Sequence, residues 1–272
     1  MNRIDALFSR LRSEGRRALM PFVTAGDPDL ATTEALVADL LRRGADQVEV
    51  GIPYSDPIAD GPVVAASYTR ALRKGVRLDE IFDMIRRLRD GGAEAPLVTM
   101  VSYAIVHRHG VERYLRRAAE AGVDGLIVPD LPVEEAEGLR RHADEAGLKL
   151  TQLVTPTTPR ERAIRIARST TGFLYYVSVA GITGERAELP PELAENVAWL
   201  RTQTDLPVCI GFGISRPEHV RRLRDAADGV IVGSALVRYL EQAGSRPLDD
   251  VARDLVDHSR SLARALNPEP AA

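Results

Sequence analysis

Short apolar segments of strand character alternate with amphipathic helical segments along almost the whole chain. Eight such alternations in roughly 250 residues leave few folds open. The strand candidates are ALMPFVTA (18–25), DQVEVG (46–51), PLVTMV (96–101), DGLIVP (124–129), LKLTQLV (148–154), GFLYYVSV (172–179), LPVCIGF (206–212) and DGVIVG (228–233). Each is short and rich in branched or aromatic side chains, as strands covered on both faces must be. Between them, Leu78, Ile81, Phe82, Ile85 and Leu88 fall at helical spacing, as do Leu36, Val37, Leu40 and Leu41 ahead of the stop signal Gly44. Val220 and Leu223 follow Pro217 in another helical pattern, and residues 248–266 predict a last amphipathic helix. MNRIDALFSRLRSEGRR predicts a short amphipathic helix at the N-terminus.

The pattern predicts an α/β chain folded as a (β/α)8 TIM barrel, with the N-terminal helix added and a short helix after the eighth strand. Residues 1–266 are expected to form one barrel domain, and the tail 267–272 to fray. A doubly wound open sheet is the alternative. It calls for G-x-G-x-x-G after its first strand, and PFVTAGDP lacks that spacing. Three helix-to-strand junctions repeat: RRGADQVEV, EAGVDGLIV and RDAADGVIV. Their Asp46, Asp124 and Asp228 are expected to be turn formers at strand starts.

Of 272 residues, 44% are hydrophobic, enough for a full core. A net charge of −3 argues against nucleic acid or an anionic membrane surface as partner, since both need clustered basic charge. The single cysteine, Cys209, excludes an intrachain disulfide and suits a reducing cytoplasm. Apolar runs such as GVIVGSALV are too short to span a bilayer. His107 and His109 show no metal-ligand spacing, and no metal is expected.

In a barrel of this kind chemistry sits at the C-terminal ends of the strands. Strand periodicity puts Val48 and Val50 on one face and Glu49 on the other, pointing into the barrel near its mouth. A carboxylate buried there needs a partner or a raised pKa. Lys149, the one strong cation in the strand segments, lies near a strand start rather than a strand end. The proline-stiffened loop 52–62 follows. Spacing leaves two roles open for its Asp60, a partner to Glu49 or a turn former; Asp56 reads as turn or interface. Glycine-rich stretches after strands six, seven and eight (Gly181 to Gly184, Gly211 to Ser215, Gly233 to Ala235) offer backbone N–H groups to a phosphate. Phe22, Tyr175 and Phe212 lie at or near strand ends as candidate walls of an apolar slot. The polar segment 179–192 is expected to close over a ligand.

Taken in order, PFVTAGDP, VEVGIPYSDPIADGP, GLIVPDLPVEE, AGITG, GFGIS and GSALV resemble the α subunit of tryptophan synthase over nearly the whole chain. The resemblance implies cleavage of indole-3-glycerol phosphate to indole and D-glyceraldehyde 3-phosphate, with Glu49 and Asp60 as catalytic residues. It implies substrate binding by Phe22, Tyr175, Thr183, Gly184, Phe212, Gly213, Gly233 and Ser234. It also implies a β-subunit partner in an α2β2 heterotetramer, with Pro53, Asp56 and Pro57 on the partner side. Indole passes to that subunit, which alone carries pyridoxal phosphate, so no cofactor is expected in this chain. One stretch departs: the family pattern Met-Thr-Tyr-Tyr-Asn-Pro reads Met100-Val101-Ser102-Tyr103-Ala104-Ile105 here. Two other classes compete. A different phosphate-binding barrel, such as a sugar-phosphate isomerase or a ring-closing indoleglycerol-phosphate synthase, is one; the synthase calls for lysines at strand ends. A non-catalytic activator of a β subunit is the other, and the presence of both acids argues against it.

Overall fold

The computed structural model describes residues 1–57, 60–178, 192–211 and 213–268. Among them the strands are β1 (Ala18–Thr24), β2 (Val48–Gly51), β3 (Leu97–Met100), β4 (Gly125–Ile127), β5 (Lys149–Thr151), β6 (Leu153–Val154), β7 (Leu174–Val177), β8 (Val208–Gly211) and β9 (Gly229–Val232). All neighbours pair in parallel, in the order β5-β4-β3-β2-β1-β9-β8-β7-β6. The two ends of that order are consecutive pieces of one stretch, interrupted only at Gln152. The predicted fifth strand is thus split in two, one half pairing with β4 and the other with β7, and it closes the barrel. Gln152 keeps its backbone engaged across the break, accepting from Tyr175 N at 3.1 Å.

Helices α1 (Arg3–Ser13), α2 (Leu30–Arg42), α3 (Pro62–Arg73), α4 (Leu78–Asp90), α5 (Tyr103–His109), α6 (Val111–Ala121), α7 (Ala136–Glu145), α8 (Arg160–Ser169), α9 (Leu193–Arg201), α10 (Pro217–Leu223), α11 (Ser234–Leu240) and α12 (Leu248–Leu266) fill the intervals. Local chemistry explains their ends. Asp29 caps α2 by accepting from Thr32 N at 2.7 Å, Pro62 opens α3, and Gly44 leaves α2 with φ +107°. The apolar spacing seen in α4 buries Ile81, Phe82, Ile85 and Leu88 against the sheet layer.

Strand alternation sorts the apolar residues into two cores. Leu19, Val23, Val48 and Val50 face outward and pack beneath the helices. Ala18, Met20, Phe22, Val98, Met100, Ile127, Phe173, Tyr175, Cys209 and Ile231 form the inner cluster. α1 joins this inner cluster through Ile4, Leu7, Phe8 and Leu11, with the rings of Phe8 and Phe173 5.9 Å apart. It stoppers the N-terminal mouth, which leaves the C-terminal mouth as the open end. Each fully buried leucine or phenylalanine here contributes roughly 1.5–3 kcal/mol.

Asp46, Asp124 and Asp228 are not simple turn formers. Each carboxylate accepts a backbone N–H at the start of a neighbouring strand: Leu19 at 3.0 Å, Leu97 at 2.9 Å and Val208 at 2.9 Å. In return each aspartate N–H donates to the carbonyl of that same residue at 2.9 Å. An arginine secures the far side: Arg16 on Asp46, Arg3 and Arg89 on Asp124, Arg201 on Asp228. Thr171 makes the same exchange with Leu150, donor and acceptor both at 2.8 Å. The junction repeat therefore sets strand register at the closed end of the barrel.

Candidate active site

Glu49 stands near the C-terminal end of β2, 1% exposed, directly paired in register with Phe22 of β1. Among the described residues its Oε1 has no hydrogen-bond partner, and burial alone pushes its carboxyl up to about 8. The ion-pair alternative fails on position: Lys149 sits at the closed end, 2.7 Å from Asp5. The only other lysine, Lys74, caps α3. A lysine-dependent barrel chemistry has no residue to use.

Asp60 is half-buried just before α3 and accepts from Tyr54 Oη at 3.4 Å. Burial pushes its carboxyl up to about 6, helped by Asp130 and opposed by the Tyr54 hydrogen bond. Tyr68 and Tyr175 tie the two acids together, for burial raises both phenols and the charges of Glu49 and Asp60 raise each further. Coulombic effects fall with distance, so the two tyrosines lie among both carboxyls. The two carboxyls are thus set apart, with Glu49 keeping its proton to higher pH than Asp60.

Two strand glycines make room for the rings. A Cβ on Gly51 would stand 2.4 Å from Phe22 Cζ, and a Cβ on Gly211 2.1 Å from Tyr175 Oη. Phe22 and Tyr175 are both buried in the inner cluster. Phe22 also abuts Gly233, whose added Cβ would lie 3.7 Å from Phe22 Cβ. Glu49 and Gly233 thus flank Phe22 on β2 and just past β9, two inter-strand steps or about 10 Å across. Gly213, at φ +73°, and Ser234, the first residue of α11, stand at the neighbouring strand ends. Thr183, Gly184, Phe212 and most of segment 179–192 lie outside the described residues.

Of the residues expected on the partner side, Asp56 is exposed, Pro57 is half-buried and Pro53 is buried. Only the first two present surface in the isolated chain. In the departing stretch, Ser102 caps α5 by accepting from Ala104 N at 3.2 Å and donates to Asp130 at 2.6 Å. Tyr103 N donates to the other Asp130 oxygen at 2.8 Å. Asp130 is a site residue that the sequence reading passed over. Its position just beyond β4, in GLIVPD, was the available signal. Tyr54 and Tyr68 gave no such signal, because neither lies on a strand.

No helix among the described residues is long and apolar enough to cross a membrane. The sequence model described as tryptophan synthase alpha chain matches residues 8–267. The tryptophan synthase alpha chain of Rhodopirellula baltica is 51% identical over 98% of this chain and 99% of its own length. The crystal structure of tryptophan synthase subunit alpha from Legionella pneumophila superposes with TM-score 0.90 at 36% identity, covering 99% of this chain and all of that one. A structure of Mycobacterium tuberculosis tryptophan synthase gives TM-score 0.88 at 32% identity, covering 98% and 99%. Extent of match and fold agree, and the chain belongs to the tryptophan synthase alpha chain family.

Proposed function

We infer that the chain is a carbon–carbon lyase that cleaves indole-3-glycerol phosphate to indole and D-glyceraldehyde 3-phosphate, as the α subunit of a tryptophan synthase. The observation that carries the mechanism is Glu49: a carboxyl at the open end of the barrel, buried without an ion partner among the described residues and pushed by that burial up to about 8. The bond between indole C3 and the glycerol chain breaks once C3 is protonated. Glu49 delivers that proton. Its carboxylate then takes the proton of the chain hydroxyl, whose carbon becomes the aldehyde as the electron pair of the broken bond returns to the ring. Asp60, ionised at neutral pH, accepts from the indole N–H and offsets the positive charge on the protonated ring.

Phe22 and Tyr175 wall the indole slot, with Phe212 and Thr183 assigned to it by family pattern. Backbone N–H groups at Gly184, Gly213, Gly233 and Ser234 take the phosphate. The span from Glu49 across Phe22 to Gly233 supports that division of the substrate. These steps call on side chains and backbone only, with no cofactor in this chain. Residues 1–266 act as one barrel domain in the cytoplasm. The exposed loop around Asp56 and Pro57 docks a β subunit in an α2β2 assembly, to which indole passes. The test is indole release from indole-3-glycerol phosphate by the purified chain, with and without a tryptophan synthase β subunit. Slow turnover alone and a large rise on mixing are expected. No indole release under either condition overturns the assignment, and a rate unchanged by saturating β subunit overturns the coupling.

A further inference from the structure

The loop after β8 is held from behind by two histidines. His219, buried on α10, accepts the Ser215 N–H at its Nδ1, 3.4 Å away. His258, on α12, places Nε2 2.9 Å from the Ser215 carbonyl oxygen. A carbonyl oxygen only accepts, so Nε2 of His258 must carry a hydrogen. Its Nδ1 is buried with no hydrogen-bond partner among the described residues, and a proton there would leave an orphan donor. An accepting Nδ1 on His219 carries no hydrogen. The hydrogen bonds thus make Nε2 of His258 the donor and Nδ1 of His219 the acceptor.

The same His258 ring meets Tyr239 of α11 edge-on, with centroids 5.7 Å apart. One side chain thus touches the loop that carries Gly213 and the helix that begins at Ser234. These are the two segments to which the phosphate is assigned above, and the inference rests on that reading. Backbone donors bind an anion only as well as their loop is held, because no side chain tethers the ligand directly.

We propose that His219 and His258 are positioning residues for the phosphate anchor, holding the backbone of Ser215 at its N–H and at its carbonyl so that the Gly213 loop and α11 keep a fixed separation. Neither touches substrate. Both act on binding rather than on the bond-breaking step.

The test uses four variants of the full chain, with glycerol 3-phosphate as the binding probe and indole-3-glycerol phosphate as substrate. His258→Leu and His219→Leu remove the hydrogen bond. Each is expected to raise the probe Kd and the substrate KM about tenfold, the worth of one such bond, with kcat held within about twofold. His258→Gln keeps a donor at the Nε2 position and His219→Asn an acceptor at the Nδ1 position, and both are expected to bind nearly as wild type. Leucine variants that bind the probe as wild type overturn the proposal, as do conservative variants that lose as much as the leucine ones. Nitrogen-15 ring spectra of the wild type supply a readout free of mutation: an Nδ1–H pattern at His258 also overturns it. A wild-type chain that binds no glycerol 3-phosphate is a different failure, since it removes the phosphate site and takes this inference with it.

Discussion

Replacing Glu49 by glutamine separates what the carboxyl does for catalysis from what it costs the fold. Glutamine keeps the shape and removes the ionisation. Burial moves Glu49 from the ordinary 4.5 to about 8. Between those values the folded chain keeps a proton that the unfolded chain releases, so wild-type stability falls as pH rises. Each pH unit inside that window costs about 1.4 kcal/mol. At pH 7 the wild-type side chain destabilises the fold by about 3 kcal/mol relative to a neutral isostere; near pH 4.5 the difference almost vanishes. Glu49→Gln is expected to be more stable than wild type by about 3 kcal/mol at pH 7 and by under about 1 kcal/mol at pH 5. It is expected to release indole at least about 100-fold more slowly, the usual loss on removing a general acid–base group. Urea unfolding at pH 5, 6, 7 and 8, with kcat/KM on the same preparations, measures both. A stability difference that does not change with pH would refute the argument that burial keeps this group protonated. A rate within about tenfold of wild type, a barrier change below roughly 1.4 kcal/mol, would refute its catalytic role.

The pH profile of kcat/KM for indole release should rise through about 6 as Asp60 ionises and fall above about 8 as Glu49 loses its proton; a missing limb removes that acid from the mechanism. Gly211→Ala places a Cβ 2.1 Å from Tyr175 Oη, so it should lower kcat/KM about tenfold and destabilise by about 1–3 kcal/mol. Steady-state kinetics and thermal melts check both, and a silent substitution would show that the ring has room to move. Asp124→Ala leaves Arg89 and the Leu97 N–H without their shared acceptor and should cost about 3 kcal/mol in urea unfolding with kcat little changed.

Much of the site was legible because strand and turn chemistry are local. Alternation alone turned Glu49 inward, away from Val48 and Val50. The glycines at 213 and 233 advertised backbone donors before any fold was drawn. Asp130 was missed although it follows a strand directly, because it carries no repeat and its partners, Ser102 and Tyr103, come from the preceding βα unit. Asp46, Asp124 and Asp228 were read too simply for a related reason. Their acceptor role depends on N–H groups 27, 27 and 20 residues away in the chain.

The sequence by itself determined the eightfold βα alternation, the face each strand residue occupies and the position of the acids at a strand end and in the loop that follows. These follow from backbone periodicity and proline and glycine conformation, which act over a few residues. Only the tertiary structure decided that Glu49 makes no ion pair among the described residues, that Tyr68 and Tyr175 bring the two acids into one field, and that two histidines on separate helices hold the N–H and the carbonyl of one residue in a third segment. Protonation state depends on the whole dielectric and charge surroundings of a group, and those surroundings exist only after the barrel has closed.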